Sequence, residues 1–158
     1  MSDEQRFVLT TNSYIETESF GAKLGKKLMP GDVVCLRGDL GAGKTCLTRG
    51  IAEGMGIDPD KVSSPTFILA QEYDGEKDMC HMDLYRLESY EAVVSCGLDE
   101  YITEDVVTVI EWPDNMEILK NLDRLEIGIV TESEEVRSIT LVPFGSRYID
   151  FVKELIFS

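Results

Sequence analysis

The residues best suited to do chemistry in this chain form one run, Gly38-Asp39-Leu40-Gly41-Ala42-Gly43-Lys44-Thr45. It fits G-x-x-x-x-G-K-[ST] at every fixed position, the spacing of a loop that cradles phosphates. Gly38, Gly41 and Gly43 let the backbone turn tightly and bring its N–H groups against phosphate oxygens, where a Cβ would clash. Lys44 supplies a point charge for β and γ phosphates, and the Thr45 hydroxyl suits the Mg²⁺ that accompanies them. Asp39, Leu40, Gly41, Ala42, Gly43, Lys44, Thr45 and Cys46 are therefore the candidate nucleotide-binding residues.

A loop of this kind binds phosphate; hydrolysis also needs carboxylates near the metal and an attacking water. Two apolar runs end in acids, Val107-Thr108-Val109-Ile110-Glu111 and the less apolar Met79-Cys80-His81-Met82-Asp83. Ligands of open α/β sheets sit at the carboxyl ends of strands, so both acids are candidates to face the nucleotide. Glu111 is assigned to the Mg²⁺, directly or through water. Asp83 joins the same cluster, as an outer ligand or as the group orienting water, and the two roles are exchangeable. Thr66, in Ser64-Pro65-Thr66-Phe67, either senses a γ-phosphate or marks a strand-entry turn set by Pro65. Trp112 is either core or a contact surface beside the nucleotide. His81, the only histidine, reads as a strand residue with no neighbours to complete a metal site. Arg49 and Arg86 read as solvated, and Lys44 as an exposed loop residue outside the core.

The elements that must position these groups are legible. Asp32–Arg37 is an apolar, β-branched strand directly before the loop. Lys44–Met55 is a helix with Leu47, Ile51 and Met55 on one face. Arg6–Thr10 reads as a strand, and Ser13–Glu16 as a capping box opening a helix to Leu28. Phe67–Tyr73 and Asp78–Leu84 read as a hairpin about Asp74-Gly75. Ser89–Cys96 and Leu98–Ile102 are short helices, and Val106–Ile110 is the strand with the most buried character. Leu125–Thr131 and Val136–Val142 form a late hairpin, and Ser146–Phe157 an amphipathic helix through Ile149, Val152 and Ile156. The order predicts an α/β fold: a three-layer, P-loop NTPase-like domain spanning 1–158, its sheet mixed but mostly parallel.

Composition narrows the class. The 158 residues suffice for one domain with a real core. No run reaches the ~18 apolar residues of a membrane span, and the N-terminus lacks the basic and apolar regions of a secretory signal. Cys35, Cys46, Cys80 and Cys96 are scattered, as expected of reduced thiols in a cytoplasmic protein. With 30 acidic and 15 basic residues the net charge is −15. Such a surface repels a phosphate backbone, so tight nucleic-acid binding is not expected of the chain alone.

Taken together, GDLGAGKT, SPTF, HMDLYRL, GLDEYI and IEWP, in this order and spacing from about Gly31 to Pro113, resemble the bacterial TsaE (YjeE) family. That is the family of the small ATPase of tRNA threonylcarbamoyladenosine synthesis. The usual second threonine after the lysine is Cys46 here; Thr45 keeps the metal role. The resemblance implies binding and slow hydrolysis of ATP with Mg²⁺ and partnership with TsaB and TsaD. In that scheme TsaD transfers the threonylcarbamoyl group to tRNA, and hydrolysis resets the complex. It also implies that Asp83, Glu111 and Trp112 match residues tied to ATPase function, and that Thr66 matches a switch-like threonine. Two other classes compete. A small-molecule kinase would carry an arginine-rich lid, and no arginine cluster follows the third strand. A GTP switch would carry D-x-x-G and N-K-x-D, and neither occurs.

Overall fold

The computed structural model describes residues 5–63 and 69–157. Thr66 and the expected strand start at Phe67 lie outside the described residues. Strands β1 (Phe7–Thr11), β2 (Val33–Arg37), β3 (Ala70–Tyr73), β4 (Met79–Asp83), β5 (Val107–Glu111), β6 (Arg124–Thr131) and β7 (Arg137–Phe144) form one sheet. Its order is β1-β7-β6-β2-β5-β4-β3. The centre, β6-β2-β5-β4, is parallel; β3 pairs antiparallel with β4, and β7 and β1 extend the other side antiparallel. The mixed, mostly parallel sheet of the sequence reading is what forms.

Helices α1 (Tyr14–Lys27), α2 (Lys44–Gly54) and α4 (Ser146–Phe157) cover one face. There Leu24, Leu47, Ile51 and Val152 pack on Val34, Leu36, Val109 and Ile127. The short α3 (Tyr90–Ser95) and 3₁₀ turns cover the other, where Val93, Leu98, Met116 and Leu119 meet Cys35, Met82 and Ile110. β5 is buried at every position, as its unbroken apolar run requires of a central parallel strand. Burial pushes the Cys35 and Cys80 thiols up to about 12, with Glu126 and Glu72 adding to the shift respectively. Among the described residues no helix is long and apolar enough to cross a membrane.

Local chemistry sets the helix positions. Ser13 Oγ accepts the Glu16 amide at 3.1 Å, and the Glu16 carboxylate returns to the Asn12 amide at 2.8 Å. This is the expected box with its return bond one residue early. The buried stripe of α4 differs from the predicted Ile149, Val152 and Ile156: it is Tyr148, Phe151, Val152 and Leu155. The rotation follows from Tyr148, whose hydroxyl donates to Asp32 Oδ1 at 2.9 Å and accepts the Val33 amide at 2.9 Å. Arg147 clasps the same carboxylate, Nε at 2.8 Å. Burial holds the Tyr148 hydroxyl well above the usual phenol range.

The α1–α2 contact is unusually close and decides where the glycine loop sits. Gly21 and Gly25 of α1 face Gly50 and Gly54 of α2, four apart on each helix, so each pair lies on one helix face. A Cβ on Gly21 would lie 2.6 Å from the Leu47 carbonyl oxygen, and one on Gly25 would strike that of Ile51. The sequence reading saw the leucine faces and missed this seam. Gly25→Ala is expected to lose stability although alanine is the better helix former. Overpacking costs about 1–3 kcal/mol against roughly 0.8–1 kcal/mol of propensity gained. Thermal unfolding should show a midpoint lowered by roughly 2–8 °C. Gly128→Ala, where added bulk meets nothing within 4 Å, should stay at or slightly above the parent midpoint; equal behaviour of the two variants would refute the seam.

Candidate functional site

The glycine loop joins the carboxyl end of β2 to the first turn of α2. Gly41 and Gly43 adopt left-handed φ of 81° and 112°, a region costly for a residue with a Cβ. Gly43 is the N-cap of α2 and no side chain caps the turn. The first amides of α2 and the positive end of its dipole are thus available to an anion. Gly38 does not need a left-handed turn. It is small because the Ile129 carbonyl oxygen lies 2.8 Å from where its Cβ would be. Ala42 is buried and anchors the loop, Leu40 is exposed, and Cys46 reaches the Tyr14 carbonyl oxygen at 3.3 Å.

Lys44 is not the exposed residue that a loop lysine suggests: it is only 6% accessible. Its ammonium donates to the carbonyl oxygens of Gly38 and of Asp39, the latter at 3.3 Å. It stands 4.1 Å from the centroid of the Trp112 ring. Burial lowers its pKa, against the raising influence of Glu111, Asp83 and Asp39. Trp112 is the one non-glycine residue at positive φ among those described, at 55°. Such a conformation stores about 1–3 kcal/mol and clusters at functional sites. The Tyr85 ring lies 4.9 Å away, tilted by 49°. Trp112 is thereby partly buried and forms a wall of the lysine site. Behind it, Arg37 pairs with Asp114 and, at 2.6 Å, with Glu126.

The two acids are neighbours: in the β4–β5 ladder Asp83 lies opposite Glu111. Asp83 is half-buried and accepts the Tyr85 amide at 3.0 Å. Glu111 is buried, and its Oε2 lies 2.6 Å from His81 Nε2. The sequence reading left His81 alone in its strand; the structure makes it the partner of a candidate catalytic acid. The signal was present in outline, since His81 and Asp83 are two apart and share a sheet face. What was missing was the pairing of β4 with β5. Among the described residues no three His, Cys, Asp or Glu side chains gather to cage an ion. Asp83 and Glu111 offer two neighbouring carboxylates at the strand ends, and Thr45 stands in the first turn of α2.

A cavity of about 330 Å³ opens beside the loop, lined by Tyr14, Thr17, Gly43, Cys46, Glu134 and Arg137. Arg137 fixes its far wall, donating to the Ala42 carbonyl at 2.8 Å and to that of Ser133 at 2.9 Å. No sequence motif marks it, because it exists only once the β6–β7 turn folds against α1. Arg49, read as solvated, donates to the Val62 carbonyl at 3.2 Å.

Comparison with known proteins bears on the family and the fold. The family model described as threonylcarbamoyl adenosine biosynthesis protein TsaE matches residues 11–139. A tRNA threonylcarbamoyladenosine biosynthesis protein TsaE from Bacillus subtilis is 41% identical over 141 residues, covering 89% of this chain and 87% of that protein. One from Streptomyces coelicolor is 37% identical over 136 residues, covering 81% and 90%. The crystal structure of YdiB from Bacillus subtilis superposes with a TM-score of 0.80 at 33% identity, covering 98% of this chain and 97% of that one.

The lysine–indole contact has an optical consequence, because Trp112 is the only tryptophan. Lys44→Ala is expected to shift Trp112 emission in the absence of any ligand, with far-ultraviolet circular dichroism unchanged. Emission identical to that of the parent protein would show that the ammonium does not sit on the ring in solution.

Proposed function

We propose, since this chain belongs to the TsaE family of threonylcarbamoyl adenosine biosynthesis proteins, that it is the ATP-binding, slowly hydrolysing subunit of that pathway. It acts in the cytoplasm with TsaB and TsaD to support or reset the transferase complex that modifies tRNA. The observation that carries the reading is the convergence at the β2, β4 and β5 strand ends. There Lys44, at the start of an uncapped α2, lies within electrostatic reach of Asp83 and Glu111. In this reading Asp39, Leu40, Gly41, Ala42, Gly43, Lys44, Thr45 and Cys46 hold the phosphates. The main-chain amides do most of it and Lys44 supplies the charge. The cavity beside Gly43 and Cys46 is where the nucleoside end would extend.

Thr45, Asp83 and Glu111 would hold Mg²⁺, which neutralises charge gathering on the phosphate oxygens when bound. Whichever of Asp83 and Glu111 holds the ion only through water would orient the attacking water. Trp112 and Tyr85 keep bulk water from the ammonium, and Thr66 reports the γ-phosphate. The chain's net charge of −15 supports a protein that meets tRNA through its partners and binds it weakly alone.

Calorimetry with ATP and Mg²⁺ tests the reading. The unsubstituted protein should give a saturable heat that Lys44→Ala abolishes while its thermal transition stays cooperative. Asp83→Ala and Glu111→Ala should each lower phosphate release by about 10²–10³-fold, the scale on which loss of one charge-stabilising group acts. Homologues of TsaB and TsaD should raise turnover in the parent protein. Full turnover in both carboxylate variants, or no heat with the parent, refutes the proposal.

A further inference from the structure

The buried imidazole of His81 is a core residue with a second purpose. Apart from Asp83 and Glu111 its neighbours on that sheet face are apolar: Met79 precedes it on β4, and Val107 and Val109 lie beside it on β5, all fully buried. Putting an imidazole at such a place costs free energy unless it is hydrogen-bonded. Its Nε2 meets one group, Glu111 Oε2 at 2.6 Å, with both side chains shielded from water. An ionised carboxylate only accepts, and against one Nε2 is the donor of this contact. One carboxylate oxygen is thereby taken up and the rotamer of Glu111 is fixed, leaving Oε1 as the oxygen free to serve the site. Nδ1 has no protein partner among the described residues, so nothing else on the imidazole explains its presence.

We infer that His81 is a positioning residue: it holds the Glu111 carboxylate in the orientation from which Glu111 acts on the bound metal or its water. The inference rests on the ATP reading above and adds a residue to it. Groups that orient a metal-binding side chain from behind typically carry 10–100-fold of affinity or activity. A packing role predicts something else. A histidine kept only to neutralise a buried acid should be replaceable together with that acid, and its loss should follow stability rather than turnover.

Two readouts separate these cases. The first needs no ligand. As the only histidine, His81 gives one set of imidazole resonances, and its Nε2 proton should appear downfield and exchange slowly. That proton should move upfield in Glu111→Gln, where a weaker acceptor replaces the carboxylate. A ring proton that exchanges as in free histidine and ignores Glu111→Gln overturns the pairing.

The second is kinetic. His81→Leu should lower kcat for ATP by about 10–100-fold and raise the Mg²⁺ concentration needed. KM for ATP should stay within roughly threefold, because the loop amides and Lys44 do the binding. His81→Gln, whose amide N–H reaches the place of Nε2, should recover most of the loss, which also covers a poorly folding leucine variant. In the Glu111→Gln background His81→Leu should add little. Additive effects, or His81→Leu turnover within about twofold of the parent, overturn the positioning role alone. A parent protein that neither binds ATP with Mg²⁺ by calorimetry nor turns it over beside the TsaB and TsaD homologues overturns the ATP reading itself.

Discussion

Strand register is the constraint on which the site depends. β2, β5 and β4 run parallel with Leu36 opposite Glu111 and Glu111 opposite Asp83. Their carboxyl ends therefore finish on one line, and the glycine loop leaves β2 directly above it. Because side chains alternate across a sheet, a slip of one residue in β5 would send Glu111 to the α3 face and bring Ile110 under the loop. The hydrophobic pattern forbids that slip. Val107 and Val109 fill one core and Ile110 the other, so the apolar residues of β5 fix the face on which its terminal acid emerges. The main-chain bonds from the Trp112 amide to the Leu36 carbonyl, 3.3 Å, and from the Leu84 amide to the Glu111 carbonyl, 3.1 Å, continue the ladders past the strand ends.

The second constraint is the depth at which α2 lies. Four glycines let α1 and α2 approach until backbone meets backbone, which seats the first turn of α2 against the sheet. The short Gly38–Gly43 loop is too tight to span a larger gap, and its two left-handed residues use up the freedom it has. Helix packing and loop conformation are one requirement seen at two scales, since a helix held farther out would carry Lys44 and the loop amides away from Asp83 and Glu111.

How far the sequence shows this depends on whether a feature is local. Strands β2 and β5, helix α2 and the loop were legible because each announces itself within about ten residues, through apolar runs or a motif tied to backbone geometry. The mixed sheet was legible from the order of elements. The buried state of Lys44, the rotation of α4 toward Tyr148 and the His81–Glu111 contact were not. Each depends on a partner far along the chain: the Trp112 ring, the Asp32 carboxylate and a strand 30 positions away. Periodicity shows which face of an element is apolar and says nothing of a polar atom that will find a buried partner. The glycine seam was visible as G-x-x-x-G on both helices. It went unread because large residues on the same faces already accounted for burial.

The contacts of Lys44 and Glu111 supply a physical reason for the slow, partner-dependent turnover in the proposed reading. Two of the charged groups that the proposed chemistry needs already have partners. The Lys44 ammonium has two loop carbonyls and an indole face, and Glu111 has His81. An incoming phosphate must displace the carbonyls, so its gain is the difference between two sets of contacts. The contact with an aromatic ring is worth about 0.5–2 kcal/mol, of the same order as the 1–3 kcal/mol stored in the left-handed backbone of Trp112. These terms oppose each other at one residue, so small forces on the segment after β5 can tip the balance. That segment is tied through Asp114 to Arg37, the residue just before the loop. A partner that takes hold of Arg37 or Asp114 would thus act on Trp112 and Lys44 together. In the proposed reading, a site held by its own contacts and adjustable from a neighbouring ion pair suits a subunit whose hydrolysis must wait for its complex.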